Sequence, residues 1–160
     1  MRLLLQRVSR AEVTVDGICV GAIGQGLLVL AGFGRADTLE LPGSRVWASM
    51  VTKLFDLRIF PDHADKLNLS LRETGGGLLL ASQFTLYADT RRGRRPSFTD
   101  AEPPDTARAL YERLTADLSV ALSSAGPGSF AQGVFGASML LDVVNWGPVT
   151  ILLDSADFEG

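Results

Sequence analysis

Two mostly apolar runs, Leu27–Ala31 and Leu78–Gln83, constrain the fold more than any other feature of the chain. Each follows a glycine-rich break, Gly24-Gln25-Gly26 in one case and Gly75-Gly76-Gly77 in the other. Neither begins with the polar–apolar alternation of a strand that has one wet face. Both read as strands covered on both sides, as central or parallel strands are. Such a sheet needs structure above and below it, and 160 residues can supply that within one domain without disulfides or metal.

The remaining elements follow from local signals. Leu3–Val8 and Glu12–Val15 read as two short strands with a turn at Ser9-Arg10, and Ile18–Ile23 as a further strand after the Asp16-Gly17 turn. Residues 34–44 are loop-like. Ser44 is placed to cap a helix with Val46, Trp47, Met50, Val51 and Leu54 on one face. Leu57–Phe60 reads as a short strand. Pro103-Pro104-Asp105 opens a second helix whose face is Ala107, Leu110, Tyr111, Leu114, Leu118 and Ala121. Met139–Val144 and Val149–Asp154 read as two strands bent around Asn145-Trp146-Gly147-Pro148, and the tail after Ser155 reads as frayed. There is no repeat and no second core. The expectation is one α/β domain over 1–155, richer in strand than helix, with a tail over 156–160.

The absences narrow the chemistry. The single histidine, His63, sits in the Asp-rich turn Pro61–Asp65 and reads as a solvated residue. A Ser-His-Asp or Cys-His system would have to recruit it. One cysteine and one histidine cannot make the usual zinc site, and no phosphate-cradling glycine pattern joins a strand to a helix. Neither metal nor cofactor is expected. The lone Cys19 excludes an internal disulfide framework and suits a cytoplasmic protein. No apolar stretch approaches membrane-spanning length. A net charge of −3 argues against a general grip on long nucleic acid such as DNA, and leaves room for contact with one end of an RNA. An enzyme with this inventory works through hydroxyls, amides, backbone groups and arginines, a set suited to positioning and electrostatic stabilisation.

Three segments invite a functional reading beside a plain structural one. Ser82-Gln83-Phe84-Thr85-Leu86-Tyr87 ends the second buried strand, where small hydroxyls and free N–H groups can meet a carbonyl oxygen. The same residues can equally satisfy a strand terminus. Asn145–Thr150 holds a Gly-Pro pair that can aim backbone carbonyls in a fixed direction, or simply bend a strand. Thr90–Phe98 carries Arg91, Arg92, Arg94 and Arg95 next to Phe98, which makes either a phosphate and base-stacking patch or a solvated charged loop.

Taken together and in order, these segments resemble the D-aminoacyl-tRNA deacylase family in its common bacterial and eukaryotic form. The matching stretches are Gln6–Ala11, Val13–Gly17, Ile23–Leu30, Leu57–Phe60, Leu67–Ser70, Ser82–Tyr87, Arg95–Phe98 and Asn145–Thr150. Ser-Gln-x-x-Leu and Asn-x-Gly-Pro in one chain of this length are specific as a pair.

The resemblance implies a three-layer β/β/α fold, with barrel-like mixed sheets and two main helices, and a homodimer. It implies a cytoplasmic hydrolase of translation quality control that cleaves the ester of D-aminoacyl-tRNA at the tRNA 3′ end. Ser82, Gln83, Phe84 and Thr85 are then the catalytic set, Phe84 contributing backbone. Gly147 and Pro148, joined by a cis peptide and oriented by Arg7, would enter the partner's site and exclude L side chains. Glycine has no side chain to exclude, so glycyl-tRNA is an expected second substrate. Phe98 and Met139 are candidates for the terminal adenosine, and Arg91, Arg92, Arg94 and Arg95 for the RNA. The chain departs from the family pattern with Trp146 in place of Asp, with Val134 in place of Arg, and with a longer 35–45 stretch.

Overall fold

The computed structural model describes residues 1–158 and places both apolar runs in the middle of one mixed sheet. In chain order the strands are β1 (Arg2–Val15), β2 (Ile18–Ile23), β3 (Gly26–Gly32), β4 (Phe60–Pro61), β5 (Leu67–Leu69), β6 (Gly77–Ser82), β7 (Phe130–Gln132) and β8 (Leu140–Asp154). The helices are α1 (Arg45–Asp56), the single turn α2 (Leu71–Thr74) and α3 (Pro104–Ala125), with 3-10 turns at Leu41–Gly43, Phe84–Tyr87 and Ser155–Phe158. The main sheet runs β2-β1-β3-β6-β7, and β8 also pairs with β1. β3 and β6 are parallel from Gly26↔Gly77 to Ala31↔Ser82. β4 and β5 form a separate small ribbon.

The two apolar runs are covered on both faces, as their composition requires. Leu27, Val29, Leu78 and Leu80 point into a large core under the helices, while Leu28 and Leu79 point into a smaller one. The smaller core, completed by Val8, Ala11, Val13 and Ile23, lies inside the curl of the sheet. That curl nearly closes a barrel, because β2 comes so near β7 that a Cβ on Gly21 would lie 3.0 Å from the Gln132 carbonyl oxygen. The layers are therefore β/β/α. The glycines that launch the central strands are needed for close approach, since a Cβ on Gly26 would overlap the Gly77 carbonyl.

Helix positions follow their caps and faces. The Ser44 hydroxyl accepts from the Trp47 N–H at 3.1 Å, and Trp47, Met50, Leu54 and Phe55 are buried. In α3 the buried face is Ala107, Leu110, Tyr111, Leu114, Leu118 and Leu122. The indole N–H of Trp47 donates to Asp117 at 2.9 Å and ties the two helices together.

Several elements differ from the sequence-based expectation. Ser9-Arg10 is not a turn: β1 is one strand, and its pairing with β8 shifts register between Val8 and Arg10. The shift changes which face the side chains occupy. Leu3 and Leu5 face the helices, whereas Ala11 and Val13 face the inner core. β8 is likewise one strand running through Asn145–Pro148 rather than two. Residues 57–59 are not a strand, β4 being confined to Phe60–Pro61. α2 and β7 carried no recognisable pattern. The tail after Ser155 is anchored through Phe158, which packs against the large core, and Ser155 is buried with its N–H on the Met1 carbonyl at 2.8 Å. Residues 159–160 of the expected tail lie outside the described residues.

Candidate active site

The parallel pair β3–β6 ends at Ser82, and the chain turns there into the 3-10 segment Phe84–Tyr87. At this strand end lies a cavity of about 530 Å³. Ser82, Gln83 and Phe84 line it, facing Phe33, Phe98 and Phe135. The rings of Phe84 and Phe98 meet edge to face with centroids 5.0 Å apart. Among the described residues, Arg35 and Glu102 are the two ionisable ones on the wall. The site is thus an apolar slot with a few polar groups at one end, the usual form of a small-molecule pocket.

The polar end is set by the backbone. The Gln83 N–H is committed to the Ala31 carbonyl at 2.7 Å, which fixes the turn to β3. The N–H groups of Phe84 and Thr85, in the first turn of the 3-10 segment, have no acceptor among the described residues. The Gln83 amide donates to the Thr85 hydroxyl at 2.5 Å. Thr85 is exposed and receives that bond from an amide rather than a base, so nothing there withdraws its proton. Ser82, Gln83, Phe84 and Thr85 are therefore brought together, with Thr85 on the rim outside the lining.

Gly147 and Pro148 are exposed in β8, joined by a cis peptide, and they do not line the cavity of their own chain. Behind them Arg7 is buried, at 5% exposure. Its Nε donates to the Trp146 carbonyl at 2.8 Å and its Nη1 to the Ile59 carbonyl at 2.5 Å. The guanidinium also lies over the Trp146 ring, 4.5 Å from its centroid. Burial lowers the pKa of Arg7, and a guanidinium remains charged under such a shift. Asn145 closes the bend from the other side, accepting from the Val149 N–H at 2.8 Å and donating to Thr150 Oγ1 at 3.0 Å. Gly147 has φ +131°, and a Cβ there would lie 2.6 Å from Nη2 of Arg7. The position requires glycine on both counts.

The other expected residues divide. Phe98 lines the cavity, whereas Met139 packs against the inner core and over Gly133. Arg91, Arg92, Arg94 and Arg95 are exposed on the loop between Asp89 and Ser97, outside the cavity. Only Arg91 has an ion-pair partner among the described residues, Asp89. His63 is exposed and does not line the cavity. Phe33, Glu102 and Phe135 were not anticipated. Phe135 alone left a trace in the sequence, as the aromatic of Gly133-Val134-Phe135. Among the described residues no group of three or more His, Cys, Asp or Glu side chains is arranged to hold a metal ion, and no helix is long and apolar enough to cross a membrane.

Comparison with known proteins agrees with the geometry. The family described as D-Tyr-tRNA(Tyr) deacylase matches residues 4–154. A protein of Nitratidesulfovibrio vulgaris named D-aminoacyl-tRNA deacylase is 59% identical over 157 residues, covering 98% of this chain and 94% of its own. A protein of Solidesulfovibrio magneticus with the same name is 59% identical over 160 residues, covering 100% of this chain and 99% of its own. Among solved structures, one titled c-Myc DNA Unwinding Element Binding Protein superposes with TM-score 0.83 at 35% identity, covering 96% of this chain and 98% of that one. Another, titled as a probable eukaryotic D-amino acid tRNA deacylase, gives TM-score 0.77 at 21% identity, over 95% and 97% of the two chains, and bears on the fold alone. A match along almost the whole chain, with Ser82–Thr85 at a strand-end cavity, places this protein in the D-Tyr-tRNA(Tyr) deacylase family of hydrolytic enzymes.

Proposed function

We propose that the chain hydrolyses the ester of D-aminoacyl-tRNA, releasing the D-amino acid and the tRNA, and that it does so as a cytoplasmic homodimer. The observation that carries this reading is the strand-end cavity, with Ser82, Gln83 and Phe84 at its polar end and no histidine in its wall. Water adds to the ester carbonyl, the bond to the ribose 3′ oxygen breaks, and that oxygen leaves with a proton. The carbonyl oxygen carries negative charge in between. The unpartnered N–H groups of Phe84 and Thr85 and the Gln83 amide are the donors suited to hold it. The 2′-hydroxyl beside the ester supplies the proton relay that the protein lacks, and the apolar walls hold the terminal adenosine, with Phe98 as a stacking surface.

Gly147 and Pro148 supply selectivity from the other subunit. They are exposed and lie outside their own cavity, so a role at the ester calls for a second copy of the chain. Arg7 and Asn145 hold the bend rigid, and a rigid carbonyl rejects an L side chain by steric conflict. Glycyl-tRNA passes the same filter and is cleaved too. The test is deacylation of D-Tyr-, L-Tyr- and Gly-tRNA by the purified protein, with its mass measured by light scattering. Release from the D-Tyr and Gly forms by a dimer, with the L form spared, is expected. Release from none of them overturns the reading.

A further inference from the structure

We propose that the loop Thr90–Pro96 is a phosphate clamp for the RNA strand leading into the cavity, with Arg92, Arg94 and Arg95 as ligands and Arg91 as the strut that holds the loop in place. The clamp rests on the deacylase reading for the identity of the strand. The sequence makes the four arginines look alike, and the structure separates them. Asp89 and Ser97 close the loop by a reciprocal backbone pair, Asp89 N–H to the Ser97 carbonyl at 2.8 Å and Ser97 N–H to the Asp89 carbonyl at 2.9 Å. Arg91 is spent inside this closure. Its Nε and Nη2 donate to the two oxygens of Asp89, each at 2.8 Å, and its own N–H donates to Oδ1 at 3.0 Å. Arg91 and Asp89 cancel in charge and act as a bracket.

Arg92, Arg94 and Arg95 are exposed and have no ion pair or side-chain hydrogen bond among the described residues. Among the described residues, the acidic group facing the base of the loop besides Asp89 is Asp100, which shares a shallow groove with Arg2, Tyr87 and Arg91. Arg2 is already paired with Asp154 at 2.7 Å. The tip is therefore a concentration of unsatisfied positive charge on a chain whose net charge is −3. A general affinity for polyanions is not what such a distribution provides; it directs one anionic segment to one place.

The location says which segment. Both stems of the loop run on to residues of the cavity wall. Phe84 begins the turn that leads into it, and Phe98, immediately after Ser97, touches the Phe84 ring. The segment beyond is laced to Phe33 and Arg35, just past β3, by Glu102 N–H to the Phe33 carbonyl at 2.9 Å and Arg35 N–H to the Asp100 carbonyl at 3.0 Å. A polymer whose terminal nucleoside fills the cavity and leaves over this rim brings the phosphodiesters just before the terminal nucleotide towards the three free guanidiniums. Arginine suits that duty because its planar fork matches phosphate oxygens.

The test uses the full-length protein and two substrates, D-Tyr-tRNA and 3′-O-(D-tyrosyl)adenosine, the second of which has no phosphate. The variant is R92Q/R94Q/R95Q, all in an exposed loop. With tRNA its kcat/KM falls at low salt, and the plot of log kcat/KM against log salt becomes shallower by about 2, at about 0.7 for each single-strand phosphate no longer neutralised. The nucleoside substrate shows no such difference between variant and wild type. The double variant D89N/R91Q, which removes one charge of each sign from the bracket, leaves the slope as in wild type. Equal loss on both substrates, or no loss on either, overturns the clamp. A slope lowered as much by D89N/R91Q as by R92Q alone overturns the assignment of the strut. If the wild type cleaves neither substrate, the deacylase reading fails, and the clamp is read instead from binding of an uncharged RNA hairpin ending in single-stranded CCA. An arginine-dependent salt slope there keeps it, and a slope unchanged in the triple variant removes it.

Discussion

The guanidinium of Arg7 holds Trp146 in two ways at once, donating to its carbonyl at 2.8 Å and lying 4.5 Å from the centre of its ring. The same group reaches the Ile59 carbonyl, so one buried side chain fixes the approach to Gly147 from two separate parts of the chain. Replacing it with alanine leaves two carbonyls short of a partner, and R7A is expected to lower stability by about 2–4 kcal/mol. R7K keeps the charge but cannot reproduce the fork. It is expected to retain most stability and to cleave L-Tyr-tRNA. Urea unfolding and the D/L ratio of kcat/KM check the two effects separately, and an unchanged ratio in R7K contradicts the orienting role.

A Cβ at Gly147 collides with Arg7 and demands a positive φ that L residues avoid. G147A is therefore expected to destabilise by about 1–3 kcal/mol and to relax the rejection of L-Tyr-tRNA, while the cavity itself stays intact. Binding of adenosine, followed by calorimetry, should be unaltered in this variant. A lost adenosine site would mean that the whole fold, and not the bend, had been disturbed.

No histidine reaches the cavity, and among the described residues Glu102 is the one carboxylate on its wall. A general base contributes about a hundredfold or more to a rate. H63A and E102Q should each cost far less than that in kcat, and the pH–rate profile should lack an inflection belonging to either side chain. A hundredfold loss in E102Q would replace the substrate-assisted route with a carboxylate base.

Asp89 is held at a pKa of about 2 by its hydrogen bonds from the Arg91 side chain and backbone, below its ordinary 3.8. A depressed carboxylate pKa stabilises the folded loop above the unfolded value, and that contribution fades as pH drops through the folded one. The Arg91 bracket should accordingly be unchanged from neutral pH down to about 4 and should loosen between about 4 and 2. Hydrogen exchange at the Arg91 Nε–H is the readout, and protection lost well above pH 4 contradicts the pairing.

Tyr111, on α3, donates to the Leu80 carbonyl at 3.1 Å, and burial raises the pKa of its phenol. The Leu80 oxygen also accepts from the Gly133 N–H at 2.8 Å, so it keeps a partner if the phenol is removed. Y111F should cost about 0.5–1 kcal/mol in urea unfolding and leave deacylation intact. A larger loss would show that the hydroxyl, rather than the ring, anchors the helix to β6.

What the sequence disclosed was mostly local. Ser44 caps its helix because a hydroxyl one residue before an amphipathic run has one obvious partner, and the faces of α1 and α3 follow from spacing alone. Leu27–Ala31 and the Leu78–Ala81 part of Leu78–Gln83 announced burial because no polar residue interrupts their apolar stretch. The misread elements depend on distant pairing. Ser9-Arg10 has the composition of a turn, and only alignment with β8 makes it a bulge in one strand. β7 is three residues long and exists because β6 lies beside it. The tail gains order from Met1 and the core, neither of which its own residues reveal. At the site, Ser82–Phe84 and Phe98 were legible by motif. Phe33 and Glu102 were not, because a wall built from four chain segments has no linear signature.

The pairing of β1 with β8, from Arg2↔Asp154 to Thr14↔Leu140, joins stretches that are almost a full chain length apart. The β3–β6 pair, from which the strand-end cavity hangs, closes a far smaller loop. Loop closure favours the second over the first during folding. On the proposed reading, discrimination through Gly147 and Pro148 thus rests on the pairing with the larger closure cost, while the slot proposed to receive the ester rests on the smaller one. If the proposed filter holds, the safeguard against L-charged tRNA sits in the contact that loop closure favours least, so a molecule caught short of that pairing would be the indiscriminate one.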